Sequence, residues 1–241
     1  DWDALEARAS FVQELPPRPP LLCPGCPHRA TYYAIRVATR GRAIYPSDIG
    51  CYTLSIAPPL ETADILFDMG SSITTACGIA QVTDHDVVAT IGDSTFFASG
   101  LPGLANAVYN RHPICLVILD NRTTAMTGHQ PHPGTGMTGM QESVPPLDIE
   151  SVCRGLGVEY VKTIDPFSPL ADVVAEVRAL VTWVRENRAP GVLVSRAPCA
   201  LLTAAERRRS GVVPNPYYVD WDLCNGCKRC LNRFSCPAMY W

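Results

Sequence analysis

The sequence predicts a doubly wound α/β domain, in which helices cover both faces of a mostly parallel sheet. From about residue 28 to residue 205, short β-rich runs alternate with longer helical patterns. The β-rich runs are almost continuously apolar, which is typical of parallel strands buried on both faces. A chain of 241 residues with 47% hydrophobic residues is also long and apolar enough to bury a sizeable core.

Each predicted element follows from its local pattern. The apolar, β-branched runs predict five strands, at Ile65–Met69, Val87–Ile91, Ile114–Leu119, Glu159–Ile164 and Val192–Ser195. The segments between them predict five helices, at about 28–40, 71–82, 95–110, 148–156 and 168–188. Ligands of such a sheet bind at the carboxyl ends of its strands, so we expect the functional residues there.

The rest of the chain differs in composition from this domain. Residues 1–20 combine an amphipathic start with the stretch Leu15-Pro-Pro-Arg-Pro-Pro20, which predicts a linker or arm rather than regular helix. Residues 21–205 form the predicted domain, and residues 206–216 are a predicted linker rich in Arg and Pro. A cysteine-rich segment at 217–241 follows.

Charge and hydropathy exclude several classes of partner. Lys plus Arg number 20 against 23 Asp plus Glu, so the net charge of -3 argues against nucleic acid or an anionic membrane as the main partner. No apolar run approaches the roughly 20 residues of a membrane span, and no signal-peptide pattern opens the chain. We therefore expect a soluble, cytoplasmic domain. The missing initiator Met suggests a fragment or a processed chain.

Two strand ends carry residues that fit a divalent cation and a diphosphate. Gly92, Asp93 and Ser94 end one predicted strand, and Asn121 ends the next one. A carboxylate and an amide carbonyl at one sheet edge are oxygen ligands of the kind that Mg²⁺ prefers. The backbone N–H groups near Ser94 and Thr95 open the following helix and suit a phosphate. The alternative is that these are ordinary turn and N-cap residues.

The eleven cysteines divide into two sets and three single residues. Cys77, Cys115 and Cys153 lie among apolar residues and are predicted to pack in the core. One set comes from three separate loops and consists of Cys23, Cys26, Cys51 and Cys199; the other is the tail run of Cys224, Cys227, Cys230 and Cys236. Sets of four thiolates hold iron–sulfur clusters or structural zinc. For the first set a zinc site, or Cys51 and Cys199 as small buried residues, remains the alternative. The tail lacks the second C-x2-C pair of a zinc ribbon.

These motifs together resemble a known family. Gly92-Asp93-Ser94 followed by Asp120-Asn121 resembles the thiamine-diphosphate motif, with Ser94 in place of its second glycine. The stretch Asp120-Asn-Arg-Thr-Thr-Ala-Met-Thr-Gly-His-Gln130 is similar to that of 2-oxoacid:ferredoxin oxidoreductases. With Cys23-Pro-Gly-Cys-Pro-His-Arg29 and Asp48-Ile-Gly-Cys51, the chain most resembles the thiamine-diphosphate domain of the indolepyruvate:ferredoxin oxidoreductase α subunit.

The resemblance implies roles for particular residues. Asp93, Asn121 and the Thr123 carbonyl would bind Mg²⁺, and Ser94 and Thr95 would contact the diphosphate of thiamine diphosphate. Gly70, Ser71 and Ser72 would approach the thiamine rings. His129 and Gln130 are the catalytic candidates, although His129 could equally cap a turn. The other histidines, His28, His85, His112 and His132, are expected at surface or capping positions.

The resemblance also assigns the two cysteine sets to iron–sulfur chemistry. Cys23, Cys26, Cys51 and Cys199 would hold a 4Fe–4S cluster near thiamine diphosphate. The tail run resembles half of a two-cluster ferredoxin, in which the first three cysteines share one cluster and the cysteine before proline ligates another. Cys224, Cys227 and Cys230 are therefore assigned to one cluster. Cys236 is a looser match, because five residues separate it from Cys230 and the chain ends at Trp241 before a second run.

The function implied is oxidative decarboxylation of an arylpyruvate to an acyl-coenzyme A, with electrons passed through the clusters to ferredoxin. The resemblance further implies a pyrimidine-binding domain, upstream or on another chain, and a β subunit, so this chain alone should be inactive. Two rivals remain. A non-redox thiamine-diphosphate decarboxylase would share Asp93 and Asn121 but would not need the cysteines. A non-enzymatic iron–sulfur or metal-binding electron-transfer module would need only the tail.

Overall fold

The computed structural model describes residues 1–10, 19–213, 215 and 217–239. Parts of the predicted N-terminal arm (residues 11–18), linker (214 and 216) and cysteine-rich segment (240–241) lie outside this range. Within it, a parallel sheet has the strand order β1-β2-β4-β3. The strands are β1 Val88–Gly92, β2 Cys115–Asp120, β3 Tyr160–Ile164 and β4 Gly191–Arg196. Each lies within one residue of its predicted bounds.

The predicted strand at Ile65–Met69 is wrong. Only Ile65 pairs, through an isolated parallel bridge to Pro46, while Ile44 makes a similar bridge to Val87 beside β1. Phe67 is 71% exposed and Met69 is 50% exposed, so the described chain places no neighbouring strand against the rest of this run. An apolar run needs a paired neighbour to become a strand, and this one lies at an unpaired edge.

The predicted helices are confirmed, with changes at their ends. They are α2 Pro27–Thr39, α3 Ser71–Ala80, α6 Ile149–Gly155 and α7 Leu170–Asn187. The fifth is a continuous helical stretch made of α4 Asp93–Thr95, a π-helical turn Phe96–Gly100 and α5 Leu101–Tyr109. The amphipathic start forms α1 Trp2–Ser10. The unpredicted helical elements include a 3₁₀ helix at Cys51–Ile56 and α8 Ala200–Arg209, which continues into the predicted linker.

Helices cover both faces of the sheet, which confirms the predicted fold class. On one face Ile91, Leu116 and Val194 pack with residues of α3, α5 and α6. On the other face Val117, Leu119 and Leu193 pack against α2 and α7. Successive strand residues alternate between the faces, so every position of β1 and β2 and nearly every position of β4 is buried. In β3, at the edge of the sheet, only Val161 is buried.

The three single cysteines are in this core, as predicted. Cys77 and Cys153 belong to the first face and Cys115 to the second, and all three are at most 3% exposed. Burial also raises the pKa of the Cys77 thiol to about 11 and of the Cys153 thiol to about 12. These thiols therefore stay protonated and act as small apolar side chains.

The parallel arrangement brings the carboxyl ends of all four strands to one edge of the sheet. The loops after β1, β2 and β4 carry Asp93, Asn121 and Cys199 at this edge. None of the helices described is both long and apolar enough to cross a membrane. After α8 the described part of the tail contains a π-helical turn at Cys230–Phe234.

Candidate active site

Asp93 is held at the end of β1 by backbone hydrogen bonds. Its Oδ1 accepts from the Ser94 N–H at 2.8 Å, and its Oδ2 accepts from the Arg122 N–H at 2.8 Å. Arg122 follows Asn121 after the neighbouring strand β2, so the carboxylate links the two strand ends directly. Asp93 is 3% exposed, and a buried carboxylate oriented in this way can bind a cation.

Asn121 is oriented by partners on both sides of its amide. Its Oδ1 accepts from the Thr123 N–H at 3.2 Å, and its Nδ2 lies 3.2 Å from His28 Nε2. Because the amide nitrogen can only donate, His28 Nε2 is the acceptor and the ring proton lies on Nδ1. The Asn121 oxygen thus faces away from His28, and its second lone pair can bind a cation.

Two histidines that were expected at surface or capping positions are buried in this site. His28 is 3% exposed and His132 is 7% exposed. Burial lowers the pKa of His28 to about 4, although the Asp93 charge opposes that shift, so His28 is neutral at pH 7. His112 is also buried, at 9% exposed, whereas His85 is exposed. The surface expectation is therefore wrong for three of the four histidines.

His132 lies against the carboxylate of Asp93. Its Nε2 is 3.1 Å from Asp93 Oδ2, but this buried nitrogen makes no well-aligned hydrogen bond. Its Nδ1 accepts from the Gly134 N–H at 3.2 Å, so the ring proton is on Nε2, facing the carboxylate. A buried, poorly paired N–H at this point suits a site that a further group would complete. His28 comes from the first turn of α2 and His132 from a distant loop, and only the cysteines next to His28 could have pointed to it.

The start of the helix after β1 packs closely against the Tyr52 ring and the loop after β2. A Cβ at Gly92 would overlap the Tyr52 ring, so no larger residue fits there without a shift. The Tyr52 hydroxyl donates to the Ile49 carbonyl at 2.9 Å and lies 3.1 Å from Thr95 Oγ1. Ser94 Oγ accepts from Thr124 Oγ1 at 2.8 Å. The serine that replaces the motif's glycine thus has its side chain tied to the loop after β2.

The predicted ring-binding segment at 70–72 is anchored by a buried aspartate that sequence reasoning did not single out as a site residue. Asp48 Oδ1 accepts from the Gly70 N–H at 2.5 Å, and its Oδ2 accepts from Ser72 Oγ at 2.7 Å. Asp48 therefore caps the start of α3 from another loop. Gly70 has a φ of 100°, and a Cβ there would overlap Ser99. A side chain at Gly70 would be strained on both counts.

Several of these residues line one pocket of about 90 Å³. Asp93, Thr95, Asn121 and Thr123 contribute its polar part. Its apolar and remaining walls come from residues that include Ile49, Tyr52, Met69, Leu119, Ala125 and Met126. Met69 immediately precedes Gly70, so the predicted ring-binding segment at 70–72 begins next to this pocket. A diphosphate with Mg²⁺ fits this donor set, because the pocket combines hard oxygen ligands with the start of a helix.

The first cysteine set lines a second cavity beside this pocket. Cys23, Cys26, Cys51 and Cys199 all face a space of about 280 Å³. The pKa of Cys26 is raised to about 11, mainly by burial and in smaller part by nearby Cys23 and Cys51. Burial likewise raises the pKa of Cys51, as do Cys199 and Cys23. These mutual effects indicate that the four thiols are neighbours, and a set whose negative charges repel each other suits a cationic metal centre.

The geometry of this set differs from that of a single-ion site. Within the ranges described, no three His, Cys, Asp or Glu side chains converge closely enough to hold one metal ion. A zinc site requires such convergence, whereas a 4Fe–4S cluster takes one cysteine on each of its irons and needs a wider arrangement. Four cysteines around one cavity provide one thiolate for each iron of such a cluster.

The two catalytic candidates lie on the rim of this second cavity rather than in the first pocket. His129 lines the cavity, and its Nε2 is 3.7 Å from Cys199 Sγ. The exposed Gln130 side chain folds back to Thr127, accepting from its hydroxyl at 2.7 Å and donating to its carbonyl at 2.6 Å. Neither side chain lines the pocket at Asp93. Their catalytic role stays a prediction.

The tail cysteines lie away from both cavities. Cys224, Cys227 and Cys230 are exposed and Cys236 is half-buried. The tail packs on α2, where Arg29 Nη1 donates to the Phe234 carbonyl at 3.1 Å and Tyr33 meets the Phe234 ring at a centroid distance of 5.5 Å. The iron–sulfur role of these four cysteines also stays a prediction.

Sequence comparison identifies relatives of known type. Residues 48–193 match the family model described as thiamine pyrophosphate enzyme, C-terminal TPP binding domain. The chain is 49% identical over 232 residues to an indolepyruvate oxidoreductase subunit IorA of Methanothermobacter marburgensis, covering 94% of this chain. It is 47% identical over 245 residues to the subunit of that name from Archaeoglobus fulgidus, covering 99% of this chain. The chain spans only 36% and 38% of the length of these two relatives.

Solved structures share the fold. A 2-oxoglutarate:ferredoxin oxidoreductase from Magnetococcus marinus has a TM-score of 0.61 at 19% identity, covering 86% of this chain and 74% of its own. A thiamine diphosphate-dependent 4-hydroxybenzoylformate decarboxylase from Rhodococcus jostii has a TM-score of 0.51 at 18% identity, covering 77% and 36%. At these identities the likeness extends to the fold alone, and both redox and non-redox enzymes share it.

Proposed function

Because this chain belongs to the thiamine pyrophosphate enzymes, through their C-terminal TPP-binding domain, we propose that it is the diphosphate- and magnesium-binding part of an arylpyruvate oxidoreductase. The proposed reaction is oxidative decarboxylation of an indolepyruvate-type 2-oxoacid to an acyl-coenzyme A. Its electrons leave through 4Fe–4S clusters to ferredoxin. The substrate class rests on the relatives named indolepyruvate oxidoreductase subunit, of which this chain spans about a third.

The observation that supports this function is that the two cavities adjoin. His28, Cys51, Asn121, Ala125 and Met126 line both the pocket at Asp93 and the cavity of the four cysteines. A redox centre in the second cavity would thus lie one wall away from a cofactor in the first. Electron transfer needs such proximity, whereas a decarboxylase without redox chemistry has no use for it.

The residues of the first pocket have distinct roles in the proposal. Asp93, the Asn121 oxygen and the Thr123 carbonyl would hold Mg²⁺, and Ser94 and Thr95 at the start of the helix would contact the diphosphate. Thiamine diphosphate supplies the electron sink for decarboxylation when it is bound. Tyr52 fills the space beside Gly92, and Met69 and Met126 give the pocket apolar walls.

Other components complete the proposed enzyme. We infer a pyrimidine-binding domain, upstream in the polypeptide or on another chain, together with a β subunit and a ferredoxin. Coenzyme A is the proposed acyl acceptor; the 2-oxoglutarate:ferredoxin oxidoreductase of similar fold is described with coenzyme A and succinyl-CoA bound. A cytoplasmic location is part of the proposal, because reducing conditions keep the cysteine sets available as thiolates.

The experiment is a Cys51→Ser variant of the full-length protein with its partner subunit, purified without oxygen. We expect coenzyme A-dependent reduction of a viologen dye by indolepyruvate to fall at least about 100-fold, because one ligand of the cluster is lost. Thiamine diphosphate binding in the presence of Mg²⁺ should be retained. The matched control is Cys153→Ser, a buried cysteine of the core that should leave dye reduction unchanged.

Other results would favour the rivals. If wild-type protein contains no iron and acid-labile sulfide, and releases an aldehyde from the 2-oxoacid without reducing the dye, the chain belongs to a non-redox decarboxylase. If iron and sulfide are present but Asp93→Asn does not weaken thiamine diphosphate binding, the cation site is assigned wrongly. A module that carries clusters but binds no thiamine diphosphate would be an electron-transfer protein only.

A further inference from the structure

His129 is directed at the sulfur of one cysteine in the second cavity. Its Nε2 lies 3.7 Å from Cys199 Sγ, within the range of a hydrogen bond to sulfur. His129 has a φ of 63°, a left-handed conformation that is unusual for residues other than glycine and asparagine. The backbone therefore takes an uncommon turn at the residue that faces this thiol.

The loop that carries His129 is closed by hydrogen bonds. The Thr124 N–H donates to the Gln130 carbonyl at 3.0 Å, and the Gln130 side chain binds Thr127 at two atoms. On the other side, the Cys199 N–H donates to the Asn121 carbonyl at 3.1 Å. Both partners are thus fixed to the loop after β2, so their contact is a defined feature of the fold.

We propose that His129 sets the reduction potential of the cluster held by Cys23, Cys26, Cys51 and Cys199, by donating a hydrogen bond from Nε2 to the Cys199 sulfur. One-electron reduction makes a cluster and its thiolates more negative, and a donor to sulfur stabilises the more negative state. The histidine therefore raises the potential and makes the cluster a better acceptor. This inference rests on the cluster of the proposed function.

The placement of His129 favours this role over contact with the substrate. The side chain lines the cysteine cavity and is absent from the lining of the pocket at Asp93. The polar partner of its Nε2 is a cysteine sulfur. His129 thus acts through Cys199 as a positioning residue, and the cluster potential is the property that it should alter.

The test is a redox titration of the anaerobic full-length protein, followed by electron paramagnetic resonance. His129→Phe keeps a ring but removes the donor, and it should lower the potential of one cluster signal. A tenfold change in the reduction equilibrium corresponds to 59 mV for one electron, and we expect a shift of about this size. His129→Gln retains an N–H at a similar reach and should restore most of the potential. His85→Phe, at an exposed histidine, is the control.

The outcomes separate this inference from the proposed function. Iron and sulfide contents equal to wild type, with a potential lowered in His129→Phe only, support the role of His129. If both His129 variants have wild-type iron and sulfide contents and share the same cluster potential, the role of His129 is overturned. The cluster assignment then stays intact. If neither iron nor sulfide is found in the wild type, the proposed function fails and the inference fails with it.

Discussion

At the scale of single residues, His28 determines which way the amide of Asn121 points. Its buried, neutral ring accepts from Asn121 Nδ2 at 3.2 Å, and its edge meets the Tyr52 ring at a centroid distance of 6.1 Å. Burial keeps the pKa of His28 at about 4, so the ring stays an acceptor throughout the neutral range. This acceptor keeps the Asn121 oxygen turned away from His28, toward the Thr123 N–H.

We therefore expect His28→Phe to weaken Mg²⁺-dependent binding of thiamine diphosphate about tenfold, a typical effect of losing a residue that orients a metal ligand. His28→Gln, which can still accept from the amide, should recover most of the affinity. Isothermal titration calorimetry of the full-length protein with thiamine diphosphate at fixed Mg²⁺ measures both. Equal affinity in the two variants would show that His28 does not orient Asn121.

At the scale of elements, an ion-pair network fixes α6 to the sheet edge. Arg196 at the end of β4 binds both carboxylate oxygens of Glu150 at 2.8 Å, and it also donates to Asp120 at the end of β2 at 2.6 Å. Burial by itself raises the pKa of Glu150. Hydrogen bonds from Arg196 and Thr163 outweigh that effect and lower the pKa to about 2. The helix is therefore held most firmly when Glu150 is ionised.

The lowered pKa predicts how stability changes with pH. The Glu150 contribution is complete above the unfolded-state pKa of about 4.5 and disappears as the pH falls through about 2. Glu150→Gln should thus cost about 1 kcal/mol at pH 7, a modest figure because water screens a partly exposed pair. Its stability should approach that of the wild type near pH 2. Thermal unfolding between pH 2 and pH 7 measures the difference.

The exposed Glu159 provides a control for this pH dependence. Glu159→Gln should follow the wild-type stability curve at every pH. A constant difference between Glu150→Gln and the wild type down to pH 2 would contradict the pKa and would assign the effect to packing.

At the scale of the whole molecule, a small contact joins the tail to the domain. The Phe234 ring packs edge-on against Tyr33, and its carbonyl accepts from Arg29, whose other nitrogen donates to the Leu22 carbonyl at 2.9 Å. Leu22 precedes Cys23. One arginine thus connects the segment before the first cysteine set to the tail that carries the second set.

Phe234→Ala should release the tail from the domain. An aromatic pair contributes about 1 kcal/mol, so we expect tryptic cleavage after Lys228 and Arg229 to be about fivefold faster. Limited proteolysis with mass spectrometry follows these cuts. The control is Leu223→Ala, because Leu223 is 83% exposed and makes little packing contact. Equal cleavage rates in the two variants would show that the Phe234 contact does not hold the tail.

The fold was largely predictable because β1, β2 and β4 are buried on both faces. Four apolar runs lie within one residue of the observed strands. The run at 65–69 has the same composition but lacks a neighbour along its length, and pairing is a property of the assembled sheet. Helix α8 was missed because none of its residues is buried, so no apolar face marks it in the sequence.

The candidate site was likewise predictable from the sequence only in part. By itself, the sequence determined that Asp93 and Asn121 follow neighbouring parallel strands, because chain order and strand direction bring these ends to one edge. The sequence also identified the two cysteine sets and predicted the helix that begins after β1. Only the tertiary structure decided that His28 lies beside Asn121, 93 residues away, and that His129 faces Cys199, 70 residues away. Such contacts depend on how loops pack across the sheet edge, and no local periodicity records that packing.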